Sequence, residues 1–281
     1  MIGVTIGIGE KHHKYAQQAA MHFERNSGLK AHILTDDHYK EVRGHPVFRC
    51  TDDEKERICF LKFFLYDFFP EEKGIVYFDC DWQMLRKFEF NLHWRLLVVR
   101  DRTEHLLRDK EVKASDHFNY FNAGFMVSNV DHRPLFERCK KDASIIPRKY
   151  YDQCVWNNLV EKMGIEVKYL HRIFNTMDMG SGLYARETVG FHHSYNYEQY
   201  DQKTVMGYCE PEESISDFLI RQQEQAGLYR LYSGPAYKTI HLHPDGTTSD
   251  GTYWVDRGKG IKMFNITGHD QINFDKLVRL D

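Results

Sequence analysis

Two carboxylates separated by one residue, Asp79-Cys80-Asp81, follow directly on the apolar run Gly74-Ile75-Val76-Tyr77-Phe78. Such a run reads as a short strand buried within a parallel sheet. In open α/β sheets ligands collect at the carboxyl ends of the strands, which is where this pair falls. Strand geometry sets the two aspartates about 6–7 Å apart. They can converge on one hard divalent cation, Mn²⁺ or Mg²⁺. A solvated strand end can carry the same letters, so the rest of the chain has to decide between the two.

Three further segments carry polar groups at places where strands or helices begin or end. Phe121-Asn122-Ala123-Gly124 lies inside an apolar stretch, Phe118 to Asn129, and a glycine there marks a bulge or a close backbone approach. Asp152-Gln153 opens a helix whose apolar side is Val155, Trp156, Leu159 and Met163; Asp152 is also a good N-cap candidate. Thr188-Val189-Gly190-Phe191 reads as a strand that ends in His192-His193. Imidazole beside two carboxylates suits Mn²⁺ better than Mg²⁺. Both histidines can also be plain strand-end residues. His241 and His243 share one face of a later strand without a third ligand at suitable spacing and read as structural.

The elements that must position these groups alternate. A strand, Ile2 to Ile8, precedes a helix with Tyr15, Ala16, Ala19, Ala20 and Phe23 at helical spacing, stopped by Asn26-Ser27-Gly28. Ala31 to Thr35 is a second strand and Pro46 to Cys50 a third short one. Arg57 to Tyr66 reads as one apolar helix, closed by Pro70, with Lys62 on it. Strands follow at Leu96 to Arg100 and Glu166 to Leu170, with a charged, aperiodic loop from Asp101 to Asp116 between them. This rhythm predicts an α/β fold with a mostly parallel, doubly wound sheet over 1–210. From Pro211 the texture changes to one helix and short strands with hairpin turns, a small β-rich appendage over 211–281.

Taken in order, Asp79-x-Asp81, Phe121-Asn122-Ala123-Gly124, Asp152-Gln153 and the late His192-His193 resemble the GT-A fold glycosyltransferases, above all retaining enzymes of the glycogenin and bacterial lipooligosaccharide galactosyltransferase type. The resemblance covers about the first two hundred residues. It implies a Rossmann-like GT-A domain and transfer of a hexose from a nucleoside diphosphate sugar, a UDP-sugar, to a hydroxyl acceptor with retention of configuration. It also implies Asp79, Asp81 and His192 or His193 as metal ligands, His192 being favoured because it follows Phe191. Thr5, Ile6 and Gly7 would cradle the nucleoside, Lys62 would reach the diphosphate or the sugar, and Asn122, Ala123 and Asp152 would contact the donor sugar. Gln153 would lie at the anomeric carbon, with Asp152 beside it as the second catalytic candidate. Lys62 reads equally well as a lysine on the wet side of a helix.

Two other function classes fit parts of the pattern. A sugar nucleotidyltransferase shares the nucleotide-binding sheet, but it grips a triphosphate with a basic, glycine-rich loop, and here that loop is Gly7-Ile8-Gly9-Glu10-Lys11-His12-His13, without arginine. A catalytically inactive carbohydrate-binding protein would have no need of the full polar set. Among 281 residues the net charge is −3 with both signs mixed, which excludes a nucleic-acid-binding surface driven by charge. No apolar run of transmembrane length occurs. Six cysteines without a C-x-x-C pair read as small core residues in a reducing compartment. The chain runs straight into its first strand without a secretory leader, so the expected location is cytoplasmic. The sequon Asn265-Ile266-Thr267 then carries no meaning.

Overall fold

A computed structural model describes residues 1–101, 119–147, 149–176, 188–193, 214–233, 236–250, 252–256, 260–264, 271–274 and 276–280. The polar loop from 102 to 116, the loop after Thr176, the tyrosine-rich run after His193 and the 265–267 sequon lie outside the described residues. The chain forms two units. The first comprises Met1–Val99, Phe121–Tyr169 and the segment beginning at Val189; the second comprises the remainder.

In the first unit, β1 (Ile2–Ile6) is buried along its whole length. The helix α1 (Gly9–Ser27) lays Ala16, Ala19, Ala20 and Phe23 inward and ends on Gly28 at φ 72°, whose N–H donates to the Glu24 carbonyl. This left-handed stop is what glycine supplies without a Cβ penalty. β2 (Ala31–Leu34) and β3 (Gly74–Phe78) pair with β1 in parallel on either side. Between them α2 (Asp36–Val42) starts at a Thr35–His38 capping box.

The expected strand at Pro46 to Cys50 is instead a turn of 3₁₀ helix, Pro46–Arg49. Pro46 fixes the first φ, and the His45 ring accepts the Val47 N–H, so local bonds satisfy a backbone that an edge strand would leave open. The single helix read over Arg57 to Tyr66 is three pieces: α3 (Glu54–Cys59), a 3₁₀ stretch Phe60–Phe64, and α4 (Leu65–Phe68). All five residues of the 3₁₀ stretch are buried, Lys62 among them. An amphipathic helix must keep one face wet, and this segment has none.

The chain then adds β4 (Trp82–Met84), β5 (Leu96–Arg100), β6 (Phe121–Asn129), α5 (Arg133–Asp142), α6 (Asp152–Lys162), β7 (Val167–Leu170) and β8 (Gly190–His192). The main sheet runs β2-β1-β3-β6-β5-β7, with β6 antiparallel to β3. The chain goes outward from β1 to β2 and returns to β3 on the other side. The order therefore reverses at β1/β3, the crevice where such sheets bind ligands. A separate two-stranded ladder pairs β4 with β8, Trp82 opposite His192.

The second unit contains α7 (Ile215–Gln225), begun by Ser214 as N-cap, and two antiparallel three-stranded sheets. One is β10 (Ala236–Leu242), β9 (Gly227–Ser233) and β14 (Lys276–Arg279); the other is β11 (Tyr253–Asp256), β12 (Ile261–Phe264) and β13 (Gln271–Ile272). Tyr229, Leu231, Ile240, Leu242, Trp254 and Met263 form its core. β9 buries alternate residues, Gly227, Tyr229 and Leu231, as a half-buried strand does. Among the described residues no helix is long and apolar enough to cross a membrane.

The packing of α1 on β1 depends on Gly3, where a Cβ would lie 2.4 Å from Phe23 Cε1. Gly3→Ala should destabilise the first unit by about 1–3 kcal/mol, read as a lower midpoint in urea with an unchanged m-value.

Candidate functional site

The site is built where β3 ends. Asp79 follows the last residue of β3, and its N–H donates to the Gly124 carbonyl at 2.8 Å, continuing the ladder with β6 by one step. Because β6 is antiparallel to β3 and Phe78 pairs with Phe125, the residues that begin β6 overhang the carboxyl end of β3. Asn122, Ala123 and Gly124 thereby come beside the aspartates.

His192 arrives from β8. Its place opposite Trp82 puts it next to Asp81, and its Nε2 lies 3.1 Å from Asp81 Oδ1 and 3.7 Å from Asp79 Oδ2. One ligand atom from each of Asp79, Asp81 and His192 falls within 4.8 Å of the others. Among the described residues this is the one such cluster. Burial disfavours the charged imidazole of His192, but Asp81 and then Asp79 outweigh it and hold its pKa above the ordinary value.

Gly124 keeps the cluster open. A Cβ there would come within 2.6 Å of His192 Cε1 and 2.7 Å of Asp79 Oδ2. The close backbone approach that the glycine signals is made by the side chains of His192 and Asp79. Two carboxylates and an imidazole converging on a space that only glycine leaves free fit a divalent cation.

His193 does not join the cluster. Adjacent strand residues point to opposite faces, and its Nε2 lies 3.1 Å from Gln83 Oε1, whose amide in turn contacts His22 Nε2 at 2.9 Å. Burial pushes the His193 pKa down to about 4. Its backbone N–H donates to the Asp81 carbonyl, so it braces the ladder that delivers its neighbour.

Lys62 is buried, not on a wet helix face. Its Nζ lies 3.0 Å from Asp152 Oδ2 and 3.3 Å from Asp79 Oδ1, and it donates to the Ala123 carbonyl at 3.3 Å. It also sits 4.9 Å from the centre of the Tyr77 ring. Burial alone would lower its pKa; Asp152 and Asp79 together more than reverse that. Asp152 is not the N-cap of its helix. It is the first helical residue, and its buried carboxylate also accepts from Trp156 Nε1 at 3.2 Å. Desolvation raises its pKa against the pull of Lys62.

Gln153 Oε1 accepts from Asn122 Nδ2 and from the Ala123 N–H, both at 3.1 Å. Asn122 Oδ1 accepts from the Gly124 N–H at 2.9 Å. The polar residues of β6 and α6 thus form one bonded set beside the carboxylates. At the end of β1, Thr5 and Ile6 are buried, and Thr5 Oγ1 has no hydrogen-bond partner among the described residues. Gly7 donates to the Leu34 carbonyl, and a Cβ there would lie 2.7 Å from Ala16 Cβ. Pairing of β1 with β3 sets this strand end next to Asp79.

Two residues of the site were missed in the sequence. Tyr77 donates its hydroxyl to Asp79 Oδ1 at 2.6 Å, and the two-residue period that places both on one face was the available signal. Tyr151 precedes Asp152 at φ 50°, ψ −132°. Among the described residues it is the one non-glycine at positive φ. Such backbone strain costs about 1–3 kcal/mol, and no sequence signal announces it.

The family model for glycosyl transferase family 8 matches residues 6–209. The chain belongs to this family. It is therefore a glycosyltransferase, and the nucleotidyltransferase alternative falls away. Solved structures agree on the fold. The galactosyltransferase LgtC in complex with donor and acceptor sugar analogs superposes with a TM-score of 0.52 at 15% identity, over 74% of this chain and 92% of that one. An active-site mutant of LgtC gives 0.52 at 15% identity, over 74% and 95%. The bifunctional glycosyltransferase WbbM gives 0.50 at 14% identity, over 69% of this chain and 45% of that one. The fold of this family 8 chain is GT-A, with additional C-terminal β-sheets. No curated protein sequence matches it.

Two outcomes follow from the geometry. Gly124→Ala should weaken Mn²⁺ binding at least about tenfold in titration calorimetry while leaving the circular dichroism spectrum unchanged, since the added methyl group enters the ligand cluster. Lys62→Met should destabilise the protein by about 3–5 kcal/mol in denaturant titration, because Asp152 is left as a buried charge without its counter-ion.

Proposed function

We propose that this chain moves a hexose from a nucleoside diphosphate sugar, a UDP-sugar, to a hydroxyl group of a glycan or other acceptor, with retention of configuration. The observation that carries the reading is the convergence of Asp79, Asp81 and His192 at the β1/β3 crevice, next to the bonded set Asn122–Ala123–Gln153. In this reading Asp79, Asp81 and His192 hold a divalent cation, Mn²⁺ by the character of its ligands. When bound, the cation neutralises the negative charge of the departing nucleoside diphosphate.

The other residues act on the donor. Thr5, Ile6 and Gly7 line the nucleoside side at the end of β1. Lys62 fixes the carboxylates of Asp79 and Asp152 and adds a positive charge on the diphosphate side. Asn122, Ala123 and Asp152 orient the donor sugar. Gln153 faces the anomeric carbon and steadies positive charge there through its amide oxygen. In this structure that oxygen accepts from Asn122 and Ala123. His193 has no part in the chemistry. The catalytic segment is taken as 1–210, which the family match ending at residue 209 supports, with 211–281 as the appendage.

The test is release of nucleoside diphosphate from UDP-glucose and UDP-galactose, with Mn²⁺ and with EDTA. Turnover should require the cation and fall by about 10²-fold or more in Asp79→Asn and Asp81→Asn; full turnover in either folded variant sinks the metal assignment. In the same assay Gln153→Ala should lower kcat by about 10²-fold with little change in KM, as expected for an interaction made in the transition state. The anomeric configuration of the product, read by proton NMR, decides retention.

A further inference from the structure

Asp152 and Gln153 owe their placement to the residue before them. The Gln153 N–H donates to the Tyr150 carbonyl at 3.1 Å, which closes a four-residue turn with Tyr151 and Asp152 at its centre. With φ 50° and ψ −132° at Tyr151, this is a turn of type II′, whose first central position belongs to glycine. Glycine would hold it without strain, yet a tyrosine stands there.

What holds the tyrosine is the start of another helix. Its ring meets the first turn of α3, where Lys55 Nζ lies 5.4 Å from the ring centre. Asp53 is the N-cap of α3, accepting from the N–H groups of Lys55 and Glu56 at 2.8 and 3.3 Å. The stretch that begins at Asp53 continues into Lys62, and Lys62 meets Asp152. The same two segments are therefore tied twice, by Lys55 to the Tyr151 ring and by Lys62 to Asp152. Between these ties the strained turn aims Gln153 at Asn122 and Ala123.

We propose that Tyr151 is a positioning residue, holding the first turn of α6 in a glycine-type conformation so that Gln153 stays aligned on the donor sugar. It acts through Gln153 and touches no substrate, and it rests on the role given to Gln153 above.

The experiment compares Tyr151→Gly, Tyr151→Phe, Gln153→Ala and the double variant Tyr151→Gly/Gln153→Ala. Tyr151→Gly keeps the turn but loses the anchor. It should lower kcat tenfold to a hundredfold with donor KM changed less than threefold, Mn²⁺ affinity unchanged and a melting temperature no lower than that of the native chain. Tyr151→Phe keeps the ring beside Lys55 and should recover most of the loss. The double variant should be no slower than Gln153→Ala alone, since residues that act as one unit are not additive. Additive losses, or full kcat in Tyr151→Gly, overturn the proposal while leaving the Gln153 assignment intact. Loss of kcat only in step with a lowered melting temperature overturns it too, as a general structural effect. Should the native chain turn over neither donor, the functional reading fails, and the side-chain amide resonances of Gln153 and Asn122 still decide the positioning role. They should shift in Tyr151→Gly, and unmoved resonances overturn it.

Discussion

One buried ammonium organises this protein. Lys62 is drawn out of water between the carboxylates of Asp152 and Asp79, with the Ala123 carbonyl as a third acceptor. An isolated buried charge of either sign is costly, and pairing restores the balance only when partners and hydrogen bonds are in place. The cost to this residue of the 3₁₀ stretch is met by groups from three other parts of the chain: the end of β3, the start of β6 and the start of α6. None of these can shift without exposing a charge to an apolar core. Lys62 sits in the 3₁₀ stretch Phe60–Phe64, where five residues in succession are buried.

Around that pair the sheet does the positioning. Antiparallel β6 extends past the end of β3, and the small β4–β8 ladder returns the chain to Asp81. Both moves bring polar residues to the crevice at β1/β3 on rigid strands, not on loops, which favours a pre-formed site. The absence of a side chain at Gly124 supplies the room for Asp79 and His192 to approach each other. Among the described residues Tyr151 is the one non-glycine at positive φ, where α6 starts abruptly at Asp152 and Gln153.

The second unit has its own physical logic. Trp254 and the inner faces of two antiparallel sheets make a separate core, and the Trp254 indole N–H is satisfied by the His243 carbonyl. Arg100 and Asp245 form a buried ion pair within it, and Asp245 Oδ1 also accepts from the N–H and hydroxyl of Thr247. The His241 and His243 rings meet at a tilt, their centres 4.6 Å apart.

The sequence by itself determined the class of fold and pointed to most, not all, of the residues gathered at the crevice. A buried run ending in two aspartates, a glycine inside a strand, an acid and an amide at a helix start and two histidines at a strand end are local patterns, set by periodicity and by the chemistry of single side chains. The tertiary structure decided what depends on partners far along the chain. Lys62 could be read as reaching a diphosphate or as wet, and only Asp152 and Asp79 make its burial tolerable. Asp152 could be an N-cap, and only the lysine turns it inward. Of His192 and His193, strand alternation separates the faces, but only pairing with Trp82 says which face meets the aspartates. The turns at Pro46–Arg49 and Phe60–Phe64 and the strained Tyr151 follow from bonds and burial that no window of sequence contains.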